Sequence, residues 1–231
     1  MENENVMDFK GIRATARRNL SGKWGISIGV AVVACLLGGL VTGQTFLPDV
    51  TRELEESRDL ISVGSVLRIS VTAGLLGFAA FLIGGTIELG YARFLLKQHD
   101  GQDIAFNDLF SQFHRFGQGF AQHFLRVLYV FLWMLLLIIP GFIKSYSYSM
   151  TPFIMAENPD LSASEAINRS KAMMDGHKLE LFVLNLTFLG WMILCAMTLN
   201  LGNLFLNPYK NAAHAAFYRQ ISGQRQHYDM Y

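Results

Sequence analysis

The sequence predicts an all-α protein, a polytopic transmembrane helix bundle of about six spans with additional amphipathic helices on the cytoplasmic side. The chain has 231 residues, of which 52% are hydrophobic and only 16% are charged. This composition is too apolar for an ordinary soluble domain. Apolar segments also follow one another from near Trp24 to near Ile221, without a gap the size of a soluble domain. We therefore predict one membrane domain, residues 24–221, between a leader (1–23) and a tail (222–231).

The leader is predicted to form a basic amphipathic helix. Phe9, Ile12, Ala16 and Leu20 recur at helical spacing, and basic side chains occupy the opposite face. Such a helix suits the surface of an anionic inner leaflet. We therefore expect the lipid bilayer, and its anionic inner-leaflet lipids in particular, to be partners.

Two glycine-rich spans are predicted next, at 24–43 and 66–89. Pairs of small residues four apart, such as Gly25 and Gly29, let transmembrane helices approach closely. The second span contains a similar group, Gly74, Gly77, Gly84 and Gly85. An acidic segment, 44–67, separates the two spans and is predicted to be an outer loop.

An interfacial helix and a third span are predicted between residues 98 and 140. The interfacial helix, 98–126, has an apolar stripe formed by Phe106, Leu109, Phe110, Phe113, Phe120 and Phe124. The third span, 125–140, is almost purely hydrocarbon. Pro140-Gly141 is predicted to be the turn that sends the chain back.

The fourth span, 142–157, is short and polar. One stripe is apolar, whereas Lys144, Ser145, Tyr148 and Ser149 belong to its polar flanks. Sixteen residues at about 1.5 Å each extend about 24 Å, which is short for a hydrocarbon core of about 30 Å. The segment is therefore predicted to be either a thin span or a re-entrant one.

A capped helix and two further spans complete the chain. Ser162 and Glu165 have the spacing of a capping box, and the helix that they begin is predicted to end at Gly176. Residues 179–200 are predicted to form a strong fifth span. The sixth, 203–221, has a polar stripe that contains Asn207, Lys210, Asn211, His214 and Tyr218.

Charge placement predicts a membrane protein with both termini in the cytoplasm. Lys and Arg are concentrated in the segments that six spans would place inside. The predicted outer loop and the start of the second span contain only three arginines, Arg52, Arg58 and Arg68, among acidic residues. With four spans instead, the loop containing Arg169, Lys171 and Lys178 would face outward, against the positive-inside rule.

The polar residues of the fourth and sixth spans are the best candidates for a site. If the two spans are neighbours, one polar intramembrane pocket would be lined by Lys144, Ser145, Tyr148, Ser149, Asn207, Lys210, Asn211 and His214. The alternative is ordinary hydrogen bonding within and between helices, since a hydroxyl can also bond to its own helix's carbonyls.

Two further polar residues have open interpretations. Glu88 either binds a proton or cation, or pairs with Arg93 or Arg126. His177 is expected to contact the end of the capped helix or a lipid headgroup. The remaining histidines show no ligand spacing and are interpreted as surface or interface residues.

Other functional classes find no support in the sequence. We identify no phosphate loop, nucleophile elbow, paired catalytic carboxylates or metal-ligand spacing, and we predict no catalytic residues, no cofactor and no metal. No nucleic-acid partner is expected either. Cys35 and Cys195 lie within apolar segments and are interpreted as packing residues.

Three motifs resemble a bacterial integral membrane family that is catalogued only as a domain of unknown function, number 975. They are GKWG (22–25), IPGFIKSYSYSMTPFIMAENPDLSASEAINRSKAMMDGHKLELF (139–182) and NPYKNAAHAAFY (207–218). The resemblance implies a multi-pass protein of the bacterial plasma membrane. The motif positions singled out are Pro140, Gly141, Pro152, Glu157, Asn158, Pro159, Ser170, Gly176, His177, Pro208 and Tyr209. A weaker similarity connects 139–182 to the membrane domains attached to some glycerophosphodiester phosphodiesterases. No phosphodiesterase domain accompanies it here, so that activity is not expected.

Two functions remain open. The first is a non-enzymatic helical bundle that organises the membrane or binds other membrane proteins. The second is a small transporter, exporter or channel module that acts as a homo-oligomer. Short spans interrupted by Pro and Gly often mark transporter binding sites, which favours the second.

Overall fold

In the computed structural model, the described residues, 9–38, 63–197 and 202–228, fold into helices joined by short turns. Over these ranges no β-strand occurs, which confirms the predicted all-α class. The α-helices are α1 (Phe9–Leu20), α2 (Trp24–Gly38), α3 (Val63–His99), α4 (Phe116–Leu136), α5 (Ile138–Ser147), α6 (Thr151–Glu157), α7 (Ala163–Met173), α8 (Lys178–Thr187), α9 (Leu189–Met197) and α10 (Asn203–Tyr228). Residues 39–43 of the first predicted span, most of the acidic loop and residues 198–200 of the fifth span lie outside the described ranges.

The apolar face of α1 packs against protein. Ile12, Ala16 and Leu20 are buried, and α1 lies mainly along α10. The chain then turns at Gly22, whose positive φ of 76° is readily adopted by glycine. The face that the sequence suggested for the bilayer surface is therefore occupied by α10. Only the basic face of α1 is left open.

Helix α3 is longer than the span predicted within it. Its 37 residues correspond to about 55 Å, well beyond the thickness of a hydrocarbon core. It begins before the predicted boundary at residue 66 and continues ten residues beyond residue 89. The continuation is buried by neighbouring helices, with Phe94, Leu95 and Leu96 in the core. Helices α2, α4 and α6 all pack against α3, which makes it the central element of the fold.

The predicted interfacial helix at 98–126 is wrong as a single element. Residues Phe106–Phe110 and Phe113–Arg115 form two short 3₁₀ helices, and α4 begins only at Phe116. The Asp108 carboxylate stabilises the first of these 3₁₀ helices, because it accepts a hydrogen bond from the Ala105 amide at 2.9 Å and pairs with Lys97 at 2.6 Å. Of the predicted phenylalanine stripe, Phe106, Phe113 and Phe124 are exposed.

Helices α4 and α5 form an antiparallel hairpin whose turn is Leu137, not Pro140-Gly141 as predicted. Leu137 is extended (φ −156°, ψ 136°), and α5 already begins at Ile138. Pro140 lies in the first turn of α5, where its missing N–H costs no helical hydrogen bond. Gly141 lies against Met134 of α4, where an added Cβ would come 2.3 Å from Met134 Cγ. The Pro-Gly pair therefore permits tight packing of the hairpin rather than making its turn.

The fourth predicted span consists of two helices, α5 and α6. Tyr148 to Met150 form a turn between them, and Pro152 lies in the first turn of α6. All six residues from Thr151 to Ala156 are buried. This part of the segment is thus enclosed by protein, mainly by α3 and α7.

The capped start of α7 was predicted correctly, whereas the helix ends at Met173, three residues before the predicted end at Gly176. The Ser162 hydroxyl accepts the Glu165 amide, and the Glu165 carboxylate accepts the Ser162 amide at 3.0 Å. The Ser162 hydroxyl also donates to Glu165 Oε2 at 2.7 Å, and this bond together with the one from the Ser162 amide holds the pKa of Glu165 below its usual value. The predicted inner face is buried at Ala163, Ala166, Ile167, Ser170 and Met174. Gly176 ends the turn after the helix with φ at 83°.

Within the part of the chain that the structure describes, three helical stretches are long and apolar enough to cross a membrane. They are Gly77–His99, Phe106–Leu136 and Lys178–Cys195, and the shorter apolar stretch Trp24–Ala34 adds to them. The outer surface near the hairpin turn is also apolar, since Leu135, Leu136, Leu137, Ile138 and Ile139 are each more than 60% exposed. These features point to a location in a membrane.

Candidate functional site

The most concentrated polar cluster lies between α3 and α4 and is centred on Glu88. Its carboxylate accepts hydrogen bonds from Arg126 Nη2 at 2.7 Å and from Gln122 Nε2 at 3.4 Å. His123 Nδ1 lies 3.1 Å from the same carboxylate. Of the two sequence alternatives, pairing with Arg126 is the one that the structure contains. The Glu88 carboxylate thus has three polar partners, and the Arg126 guanidinium neutralises its charge.

Close helix packing creates this cluster. A Cβ on Gly85 would come 2.1 Å from the Gly119 carbonyl oxygen, so the two backbones are in direct contact. Thr86, Gln122 and His123, which lie beside this crossing, are therefore buried. Three of their polar atoms are buried without a hydrogen-bond partner: Thr86 Oγ1, Gln122 Oε1 and His123 Nε2.

Sequence reasoning missed His123, because the sequence alone suggests a surface or interface residue. It is buried, and its ring contacts Phe81 edge-on with centroids 5.3 Å apart. The missed signal is the spacing of Gly119, Gln122, His123 and Arg126. All four can share one helical face, so that a glutamine, a histidine and an arginine point toward Glu88.

The candidate residues of the fourth span bond within their own hairpin. The hydroxyls of Ser145, Ser149 and Thr151 donate to backbone carbonyls three residues earlier, and Ser147 donates to the carbonyl four residues earlier. The Lys144 ammonium lies 4.7 Å from the centroid of the Trp133 ring, a cation–π contact across the hairpin. Tyr148 packs against Tyr129.

The candidate residues of the last helix have different partners. His214 Nε2 lies 2.8 Å from Asn185 Oδ1 of α8, and Asn211 Nδ2 donates to the Tyr91 hydroxyl at 3.1 Å. Asn207 and Lys210 are half-buried on the same helix. Lys210 forms no ion pair with any acidic residue in the described ranges.

The candidate residues of the fourth span and those of the last helix therefore contact different helices. Within the described ranges, no hydrogen bond or ring contact joins Lys144, Ser145, Tyr148 or Ser149 to Asn207, Lys210, Asn211 or His214. The first set faces α4, whereas the second faces α3 and α8. The shared pocket stays a prediction from the sequence, because no hydrogen bond or ring contact in the described ranges joins the two sets.

A second charged cluster joins the ends of α3 and α6 to the interior of α10. Arg219 of α10 forms ion pairs with Glu157 at the end of α6 and with Asp100 just after α3. The Tyr218 hydroxyl donates to Glu157 Oε2 at 2.5 Å, and its ring stacks on Phe153. Glu157 was singled out from its motif, but Tyr218 and Arg219 follow it by 61 and 62 residues, so only the fold reveals them.

The other motif positions stabilise the turns around these clusters. Asn158 Nδ2 donates to the Ile154 carbonyl, and the Pro159 carbonyl accepts Arg115 Nη2 at 2.6 Å. Arg115 also donates to the Met155 carbonyl, so it caps the end of α6 as a cation. Ser170 donates to the Ser147 carbonyl at 2.9 Å and thereby attaches α7 to α5.

His177 and Tyr209 complete the motif set. His177 immediately precedes α8 and pairs through Nδ1 with Glu180 at 2.5 Å, a partner that differs from the expected helix end or headgroup. The Tyr209 hydroxyl accepts Arg13 Nε at 3.4 Å, which connects the last helix to the first. Pro208 is buried inside α10.

The described ranges contain no group of three or more His, Cys, Asp and Glu side chains that could hold a metal ion. The chemistry available in the clusters is ion pairing and hydrogen bonding between protein groups.

Comparisons with known proteins give one match. No curated protein and no solved structure matches the chain. The matched region begins at the end of α4, contains the hairpin turn and extends into α10. Residues 134–225 are similar to the family described as "Protein of unknown function (DUF975)".

Proposed function

We propose that the protein is a non-enzymatic, multi-pass protein of the bacterial plasma membrane that organises or binds other membrane proteins. The single observation that carries this proposal is how its polar and apolar groups are distributed. The charged groups between the helices bond to one another, as Glu88 does with Arg126 and Arg219 with Glu157 and Asp100. The surface beyond them is apolar and exposed, which suits contact with lipid and with other membrane helices.

The α4–α5 hairpin is the proposed contact element. From Leu135 to Ile143 it has no charged or hydrogen-bonding side chain, and large side chains on both arms are exposed, including Leu135, Ile139 and Phe142. Its turn is nevertheless hydrogen-bonded internally, since Leu137 N donates to the Trp133 carbonyl at 3.0 Å and Gly141 N to the Leu137 carbonyl at 3.2 Å. An internally bonded turn can enter an apolar phase without leaving backbone groups unpaired.

Site-specific photo-crosslinking in native membranes tests this proposal. A photoreactive residue at Phe142 should give discrete protein adducts, either a homodimer or one reproducible membrane protein identified by mass spectrometry. The matched control is Asn168, which is exposed on α7, and no such adduct is expected there. The variants Lys144→Ala, Asn207→Ala and His214→Ala should retain the adducts. Adducts with lipid alone at Phe142 would reject the partner-binding role.

A small homo-oligomeric transporter or channel is the second candidate. One observation favours it: Lys210 is half-buried in α10, one turn from His214, and has no ion-pair partner in the described ranges. An uncompensated cation at such a depth is typical of a site for an anionic solute. In liposomes, this candidate predicts a flux of anions or amphiphiles that Lys210→Ala abolishes. Absence of flux in the intact protein would exclude it.

A further inference from the structure

An apolar cavity of about 400 Å³ lies where α1, α2, α9 and α10 meet, apart from both charged clusters. Its walls include the side chains of Trp24, Trp191, Cys195, Phe205 and Tyr209. Cavities of this volume hold small apolar molecules or part of a larger one.

Among the described residues that line the cavity, Arg17 is the charged one. Arg17 is exposed and forms no ion pair with any acidic residue that the structure describes. Its neighbour Arg13 is already engaged, because it donates to the Tyr209 hydroxyl and lies 5.6 Å from the centroid of the Phe188 ring. The Arg17 guanidinium can therefore bind a ligand at this cavity.

The chain segment around Arg17 carries only positive charge. Lys10, Arg18 and Lys23 lie on the same segment as Arg17, and no Asp or Glu occurs between residues 9 and 38. An anion approaching Arg17 would thus meet attraction from several cations and no nearby repulsion from this segment.

The helices hold the cavity walls in place. Gly202 lies so close to α9 that an added Cβ would come 2.5 Å from Cys195 Sγ. On the opposite side, the rings of Trp24 and Phe205 are 6.5 Å apart. A preformed apolar cavity beside one open guanidinium fits a ligand with a hydrocarbon chain and a negative headgroup.

We propose that this cavity binds one anionic glycerophospholipid, with an acyl chain among Trp24, Trp191 and Phe205 and the phosphate on Arg17. The guanidinium fork matches a phosphate with two parallel hydrogen bonds. The site deepens the proposed function, since it rests on the membrane location proposed above. It does not depend on the α4–α5 hairpin or on any protein partner.

The three tryptophans of the chain provide the test. Trp24 and Trp191 line the cavity, whereas Trp133 lies on the exposed hairpin. The Trp133→Phe variant therefore reports on the cavity, and the Trp24→Phe/Trp191→Phe variant reports on bulk lipid contact. Each is titrated in detergent micelles with brominated phosphatidylglycerol or with brominated phosphatidylcholine of the same chains, and fluorescence quenching is measured.

Cavity fluorescence should be quenched at about tenfold lower mole fraction of the anionic lipid than of the zwitterionic one, because the choline cation of the zwitterion weakens the attraction of its phosphate to Arg17. Added to Trp133→Phe, Arg17→Gln should abolish this preference and Arg18→Gln should keep it. The hairpin reporter should show no preference. Inorganic phosphate alone should not compete.

Equal quenching by both lipids in the cavity reporter would overturn the proposal, and so would a preference that survives Arg17→Gln. Effective competition by inorganic phosphate would assign the site to a free anion and overturn it as well. Because the measurement uses purified protein and lipid, a negative result leaves the crosslinking test of partner binding unaffected.

Discussion

At the residue scale, glycines with the same sequence pattern have different roles in the structure. Small-residue spacing predicted close helix packing at Gly25, Gly29, Gly74 and Gly77, but no described atom lies within 4 Å of a Cβ built at these positions. At Gly85, Gly90 and Gly119 the added Cβ would overlap a neighbouring backbone. The pattern indicates that close approach is permitted. Which glycine is used depends on which helix crosses there.

The glycine contact between α3 and α4 gives the first prediction. Gly85→Ala should destabilise the protein by about 2 kcal/mol or more, because the new methyl group overlaps the Gly119 carbonyl and must push the helices apart. Gly74→Ala is the matched control on the same helix and should be neutral or slightly stabilising. Thermal unfolding in detergent measures both. Equal effects would show that the α3–α4 contact does not form.

The Glu88 cluster gives the second prediction. Arg126→Met should cost about 3 kcal/mol, since Glu88 would keep its charge between the helices without its main counter-charge. The double variant Glu88→Gln/Arg126→Met should recover much of the loss, because the substituted amide carries no charge and still accepts a hydrogen bond from His123. Chemical unfolding of the purified variants compares them, with exposed Lys171→Met as the control. A double variant as unstable as the single one would show that the loss does not come from a stranded charge.

At the element scale, local patterns specified the capped start and inner face of α7 fully and the hairpin only partly. The capping box and the helical spacing of Ala163, Ala166, Ile167 and Ser170 are contained within one helix, so sequence alone defines them. In the hairpin, the turn position depends on where α5 docks on α4. Gly141 packs against Met134, where a Cβ would not fit. The chain therefore reverses at Leu137, three residues earlier than the Pro-Gly pair suggested.

The capping box gives a pH-dependent prediction. The pKa of Glu165 is lower in the folded protein because Ser162 hydrogen-bonds its carboxylate. The charged form therefore stabilises α7 above the usual pKa of about 4.3, and this contribution is lost as pH falls through the lower folded value. Wild type should melt at a higher temperature than Glu165→Gln at pH 7, and the difference should shrink toward pH 3. A difference that is constant from pH 7 to pH 3 would contradict this assignment.

The attachment of α7 to α5 gives a further prediction. Ser170→Ala removes the hydroxyl that donates to the buried Ser147 carbonyl, and should cost about 1 kcal/mol of unfolding free energy. Ser164→Ala, on the exposed face of the same helix, should change stability little. Unfolding midpoints of the two variants provide the comparison, and similar midpoints would argue against the hydrogen bond.

At the scale of the whole molecule, α1, α3, α6 and α10 form one core rather than a row of independent spans. The Arg219 cluster joins the ends of α3 and α6 to the interior of α10, while the Arg13–Tyr209 contact fastens α1 to α10. These contacts connect residues up to 196 positions apart in the sequence. A leader that packs on the last helix is therefore part of the fold.

Topology reporters test the predicted transmembrane arrangement of the whole chain. With both termini in the cytoplasm, a topology reporter fused after Ser57 should be active as an external reporter, and one after Asn168 as a cytoplasmic reporter. A reporter at the C-terminus serves as the internal reference. An external Asn168 would leave α5 and α6 on the surface and remove the six-span arrangement.

The sequence by itself determined the all-α class, the apolar character of the chain and the capping of α7, and it offered the pairing of Glu88 with a basic residue as one of two interpretations. These properties depend on composition or on side chains whose character is visible in the local pattern. The tertiary structure decided the hairpin turn, the burial of His123, the partners of Glu157 and the cavity beside Arg17. Each of these depends on which helices become neighbours, and periodicity within one helix identifies an apolar or polar face without identifying what packs against it.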